Sequence, residues 1–192
     1  MHNRTRAVIG SAAAALLLAC GDANRATEPA SSDRAIGART DAGATNHFVS
    51  MKDACDPATF DAATGDPNAC VRNGGMTFDK FIAQLQKHQQ VGAWHFAPPS
   101  LNVREGSTLT AINRGGEVHT FTEVEEFGGG FVPMLNDLSG NPTPAPECLA
   151  LAPGDLVAPG GSFTTTESEA GVENYQCCIH PWMRTIVHVR GS

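Results

Sequence analysis

The chain lacks any stretch approaching the run of about 20 apolar residues that a membrane-spanning helix needs, and it contains no internal repeat. It also lacks a positive surplus. Its 13 Lys and Arg stand against 20 Asp and Glu, a formal net charge of −7, and such a surface repels nucleic-acid phosphates. Aromatic residues are scarce at 6%, whereas 20 Gly and 12 Pro supply turns. With 41% apolar residues, this composition favours a β-rich globular domain over long helices. The Gly128–Gly130 run lacks the G-x-G-x-x-G and P-loop contexts and reads as a loop. No nucleophile, base and orienting acid can be assembled, so an enzyme is not expected. The length, 192 residues, fits one ordinary domain plus a tail.

The N-terminus reads as an address. Arg4 and Arg6 precede an apolar segment from Ala7 to Ala19 that is too short to span a bilayer, the pattern of a secretory signal over residues 1–19. Its end, Leu17-Leu18-Ala19-Cys20-Gly21, resembles the bacterial lipobox, which implies export and lipid attachment through Cys20 in the cell envelope. Residues 20–46 have no apolar period and read as a flexible tether. Residues 47–90 are expected to form a disulfide-closed loop around Cys55 and Cys70, followed by one short helix. That helix rests on Phe78, Phe81, Ile82 and Leu85 at i, i+3, i+4 and i+7 after a capping Thr77. Lys87 and His88 at its end suit the helix dipole better than they suit a metal.

From residue 91 to 192 the text is strand and turn. In Ser107 to Asn113, Leu109, Ala111 and Asn113 share one face; in Val118 to Val124, His119 and Phe121 share another. Residues 126–159 form a long, irregular stretch, and SFTTT, VENYQC and TIVHV supply the last strands. Short strands with Gly and Pro turns predict an antiparallel sandwich or barrel. Glu123, Glu125 and Glu126 read as a solvated strand end, and His47, His95 and His188 stand isolated.

The most informative segment is Tyr175 to Met183, YQCCIHPWM. It offers a thiol, an imidazole and a thioether at three-residue spacing: Cys177, His180 and Met183. A strand ending at Cys177 and a tight loop can fold these around one point. Two His, one Cys and a weak axial Met form the donor set of blue-copper electron-transfer sites. His119, just after the Arg114-Gly115-Gly116 turn, is the imidazole placed to complete it. Zinc favours four strong donors and has no use for the Met, and adjacent Cys177 and Cys178 do not have the spacing of a binuclear copper motif.

These segments, NRGGEVHTF with His119, Cys-x-x-His-x-x-Met with Pro181, and the closing TIVHV, resemble the plastocyanin, amicyanin and pseudoazurin branch of the cupredoxins. The resemblance spans roughly residues 91–189 and implies an all-β, cupredoxin-like Greek-key β-sandwich or barrel, here with one short N-terminal helix. It also implies one copper per chain held by His119, Cys177, His180 and Met183. An apolar partner patch around the C-terminal ligand His would include Pro181 and Trp182. Thr120 stands where relatives often have an Asn that ties the two ligand loops. With Cys20 on lipid and Cys177 on metal, Cys55, Cys70, Cys148 and Cys178 remain for disulfides in an oxidising compartment. Three pairings can be drawn. Cys55 with Cys70 is favoured because the two are close in sequence, and Cys148 with Cys178 because neighbours on a strand face opposite ways, which turns Cys178 away from the copper.

The expected function is single-electron transfer between redox proteins by transient docking, at the exported face of a membrane that the chain meets only through its lipid. The alternatives are a non-redox copper protein for storage or assembly, and the copper domain of an oxidase or reductase; the chain lacks the His-x-His pairs of a second copper.

Overall fold

The computed structural model describes residues 45–191. The leader over residues 1–19, the lipidation site Cys20 and all but the end of the 20–46 tether lie outside the described residues.

Strand β4 (Thr108–Asn113) buries Leu109, Ala111 and Asn113, as its alternation predicts. It lies between β1 (Asn46–Lys52) and β8 (Ser162–Thr166), with β2 (His95–Ala97) outside β1. The second sheet runs β3 (Ser100–Arg104), β10 (Arg184–Arg190), β9 (Gly171–Gln176) and β6 (Thr122–Val124). A small ribbon pairs β5 (His119–Thr120) with β7 (Leu156–Val157). Val49, Met51, Leu109 and Ala111 from the first sheet and Val103, Tyr175, Val187 and Val189 from the second belong to one buried core. The chain is therefore mostly β, as expected, with two sheets sharing a core.

Three features depart from the expectation. First, β1 pairs with β4, and β3 with β10, in parallel; the sheets are mixed, and each is an open set of four strands rather than a closed barrel. Parallel neighbours need a crossover, and between β1 and β4 the chain passes through helices and two further strands. Second, there are three α-helices among the described residues, not one: α1 (Pro57–Thr64), α2 (Phe78–His88) and α3 (Pro133–Leu138). Helix α1 carries regular punctuation, with Asp56 accepting from Thr59 N–H, Pro57 in the first turn and Gly65 left-handed at φ 73°. Helix α2 is the predicted one and buries Phe81 and Leu85, although the Thr77 side chain makes no capping bond. Third, the expected boundary at residue 91 does not divide the packing. β1 is an inner strand of its sheet, and Phe60, Phe81 and Leu85 join the same core as the strands.

Both favoured disulfides form, Cys55–Cys70 and Cys148–Cys178, leaving Cys177 as the free cysteine among the described residues. No helix among the described residues is long and apolar enough to cross a membrane.

Just past β8, Glu167 is only 1% exposed and accepts from the Tyr175 hydroxyl at 3.3 Å. Burial, followed by neighbouring Glu173, pushes its carboxyl up from 4.5 to about 8. A folded value above the unfolded one contributes stability that is fully present below about 4.5 and is lost as the pH rises through about 8. The Tm should therefore fall between pH 5 and pH 8, by at least ~3 °C, the shift about 1 kcal/mol gives a domain of this size. Glu167→Gln should flatten that slope in a thermal melt; equal slopes in both proteins would refute the assignment.

Candidate metal centre

The two ligand segments meet where β5 approaches the loop that follows β9. The loop after β9 closes on itself: Cys177 N–H donates to the Met183 carbonyl at 3.0 Å, and Met183 N–H to the His180 carbonyl at 2.9 Å. Arg184 holds this loop from behind, donating to the Pro181 carbonyl and the Asn141 side chain at 2.7 Å each. Across from it, Thr120 makes two ties. Its N–H donates to Cys177 Sγ at 3.5 Å, and its hydroxyl oxygen accepts from Cys178 N–H at 2.8 Å. A threonine thus joins the two loops at the position where the resemblance set an Asn.

Three of the four expected ligands converge. His119 Nδ1 and His180 Nδ1 each lie 3.8 Å from Cys177 Sγ, and one ligand atom from each residue lies within 4.8 Å of the others. His119 and Cys177 are fully buried and His180 is 3% exposed. Met183 is also fully buried, but its sulfur stands apart from the trio. It is linked to them through the backbone bonds of the loop.

Each ring has a carboxylate at its opposite edge. Asp53, in the turn after β1, accepts from His119 Nε2 at 2.9 Å, from Gly116 N–H at 2.9 Å and from Glu117 N–H at 3.0 Å. Gly115 is required for this approach, because a Cβ there would overlap the Asp53 carboxylate. Glu117 lies 3.6 Å from His180 Nε2 and accepts from the Trp94 indole N–H. A ring whose Nε2–H is engaged by a carboxylate leaves Nδ1 as the lone-pair edge. Both rings thus turn their Nδ1 edges towards the sulfur.

The charges are interdependent. Burial pushes the Cys177 thiol up, yet the adjoining His119 and His180 rings hold it well below its ordinary value. Burial pushes His119 down, but Asp53 and Cys177 raise it to about 9. Asp53 is lowered: burial raises it, and His119 with the Gly116 and Glu117 amides outweighs that. Glu117 is raised, chiefly by burial, against the pull of His180 and Trp94. A second acidic group, Asp53, Cys55 and Glu117, is also close-set, but Cys55 is spent in its disulfide.

The expected partner patch at Pro181 and Trp182 is not open. Pro181 is buried and Trp182 is half-buried. The covering layer comes from two residues before 95 together with Trp182 itself: Phe81 of α2 lies 6.4 Å from the His180 ring edge-on, Trp94 at 6.5 Å and Trp182 at 5.4 Å. Asp53, Glu117 and Trp94 were missing from the sequence reading. Glu117 had a signal, since it stands two residues before His119 on the same side of a strand-like run. Asp53 had none, because only the β1–β4 pairing brings it to the site.

No family model and no curated protein matches the chain. Solved structures similar to part of it are cupredoxins. A purple cupredoxin from Nitrosopumilus maritimus is 23% identical over 52% of this chain and 86% of that one, with a TM-score of 0.39. A Cu(I) amicyanin variant is 26% identical over 50% and 73%, with a TM-score of 0.35. A reduced amicyanin variant is 28% identical over 48% and 70%, with a TM-score of 0.32. Scores this low establish neither fold nor function, which rest on the chain's own geometry.

Asp53 should be the keystone of the carboxylate frame. Asp53→Asn exchanges a charged acceptor of several buried N–H groups for a neutral amide, and bonds to a charged group contribute about 1.5–3 kcal/mol each. A loss of about 2 kcal/mol is expected in denaturant unfolding of the metal-free protein. An unchanged midpoint would show that the frame does not depend on that charge.

Proposed function

We propose that this chain is a mononuclear copper protein that carries single electrons, with Cys177 as thiolate, His119 and His180 as imidazole ligands and Met183 as a weak, distant axial donor. The observation that carries the proposal is the buried convergence of two Nδ1 atoms on one free sulfur, each at 3.8 Å. A soft thiolate with two imidazoles and no fourth strong donor suits copper, whereas zinc takes four strong donors in a closed site. The distance of the Met183 sulfur from the trio fits a role that tunes rather than holds. Copper bound there supplies reversible one-electron chemistry.

The protein's part is rigidity. Cu(II) and Cu(I) prefer different surroundings, so a donor set fixed by folded strands changes little on electron transfer. Cys177 is clasped by Thr120 and Met183, His119 is bonded from behind by Asp53, and Glu117 stands behind His180. We place the protein in the exported compartment, where the two disulfides are stable, anchored through a lipid on Cys20. Carriage between redox proteins is favoured over storage because the site is deeply buried and preorganised, an arrangement that electrons cross more readily than ions.

Addition of Cu(II) should give an intensely coloured protein that bleaches reversibly with reductant. Cys177→Ser should abolish the band, while Met183→Leu should keep it and raise the reduction potential. A colourless copper complex, or an unaltered spectrum in the Ser variant, would overturn the assignment.

A further inference from the structure

Phe131, Leu149, Leu151 and Leu156 line an open groove of about 440 Å³ with buried Cys148 in its wall. Leu149 is 67% exposed, Leu156 46% and Phe131 41%. Apolar side chains gathered on one face and left to water mark an interaction surface.

Each wall of the groove is tied to the thiol-bearing segment. Cys148 is bonded to Cys178, the residue after Cys177. Phe131 N–H donates to the Cys178 carbonyl at 2.8 Å. Leu156 is paired with Thr120, whose N–H donates to Cys177 Sγ. Gly130 keeps this wall flush, since a Cβ there would overlap the Cys178 carbonyl. The other approach, over His180, is closed by Phe81, Trp94 and Trp182.

We propose that this groove, and not the His180 edge, is where a redox partner docks, and that the partner presents an apolar patch ringed by Lys and Arg. The charge distribution selects that partner. No Lys or Arg stands anywhere between Arg114 and Arg184, and Glu147 and Asp155 directly neighbour the groove residues Cys148 and Leu156. An apolar centre with an acidic rim attracts a basic surface over distance, and a small contact releases it after each encounter. One electron passes from the partner's reduced centre to the oxidised site; the partner is oxidised, the site is reduced, and no bond or proton changes hands. The inference rests on the copper reading above.

A lysine-rimmed class I cytochrome c serves as the probe. Titrated into the isotope-labelled, reduced full-length protein, it should shift the amides of Phe131, Leu149, Leu151 and Leu156, and added salt should weaken the effect. Leu149→Lys, at a largely exposed position, should lower the second-order rate of electron transfer from the reduced cytochrome at least tenfold, with visible spectrum and potential unchanged. Shifts centred on His180, Pro181 and Trp182, or a rate unaltered in Leu149→Lys, would overturn the groove. So would nuclear Overhauser contacts placing residues 1–44 or a second copy in it. Should copper give no coloured site, the copper reading fails separately, and the shift map on the metal-free protein still decides where the cytochrome docks.

Discussion

Both imidazoles of this site face a buried carboxylate at their far nitrogens, and that constraint organises much of the surrounding fold. A buried thiol between two free rings could satisfy itself in several tautomers, each with a different set of donors. Asp53 removes the choice for His119 by accepting from its Nε2, and the Glu117 carboxylate stands 3.6 Å from His180 Nε2; both Nδ1 atoms face Cys177 Sγ. Burying carboxylates is costly unless they are paired and hydrogen-bonded. The structure meets this with the Gly116 and Glu117 amides on Asp53 and the Trp94 indole on Glu117. The Gly115 turn, the β1–β4 register and the placement of Trp94 are therefore connected to the state of two ring nitrogens.

The segment before residue 91 gains its meaning from the same constraint. Strand β1 delivers Asp53, and α1 and α2 bring Phe60 and Phe81 into an aromatic layer with Trp94. Phe60 and Trp94 stack at 5.8 Å, and Phe81 lies 4.8 Å from Trp94. This layer seals the His180 side from solvent. It strengthens every charge interaction within the site, because a dry surrounding screens less.

Much of the site was legible in the sequence because its chemistry is local. Cys177, His180 and Met183 sit on one loop, and the alternation of Ser107 to Asn113 and the position of His119 after a Gly-rich turn fix the other wall. The disulfides were legible for a similar reason: Cys55 and Cys70 are close in sequence, and Cys178, next to Cys177, bonds Cys148 even though β9 ends at Gln176 and both lie in the loop. What escaped the sequence depends on tertiary pairing. In β1 a polar His47 on the inward face and a 59% exposed Phe48 on the outward one blur the alternation. The punctuation of α1, Asp56, Pro57 and Gly65, was present, but the flanking Cys55 and Cys70 disguised it as a loop. The parallel register of β1 on β4, and with it the role of Asp53, has no local signature. The cover over His180 and Trp182 comes in part from Phe81, on a helix more than ninety residues upstream, which no pattern around His180 records.

The account turns on which atoms bind the metal. X-ray absorption at the copper edge of the loaded, reduced protein reads the coordination sphere directly. It should require two imidazole nitrogens and one short thiolate sulfur, with any second sulfur at a longer distance. A fit that needs no sulfur, or only one imidazole, would contradict the convergence of His119 and His180 on Cys177 as the metal-holding unit.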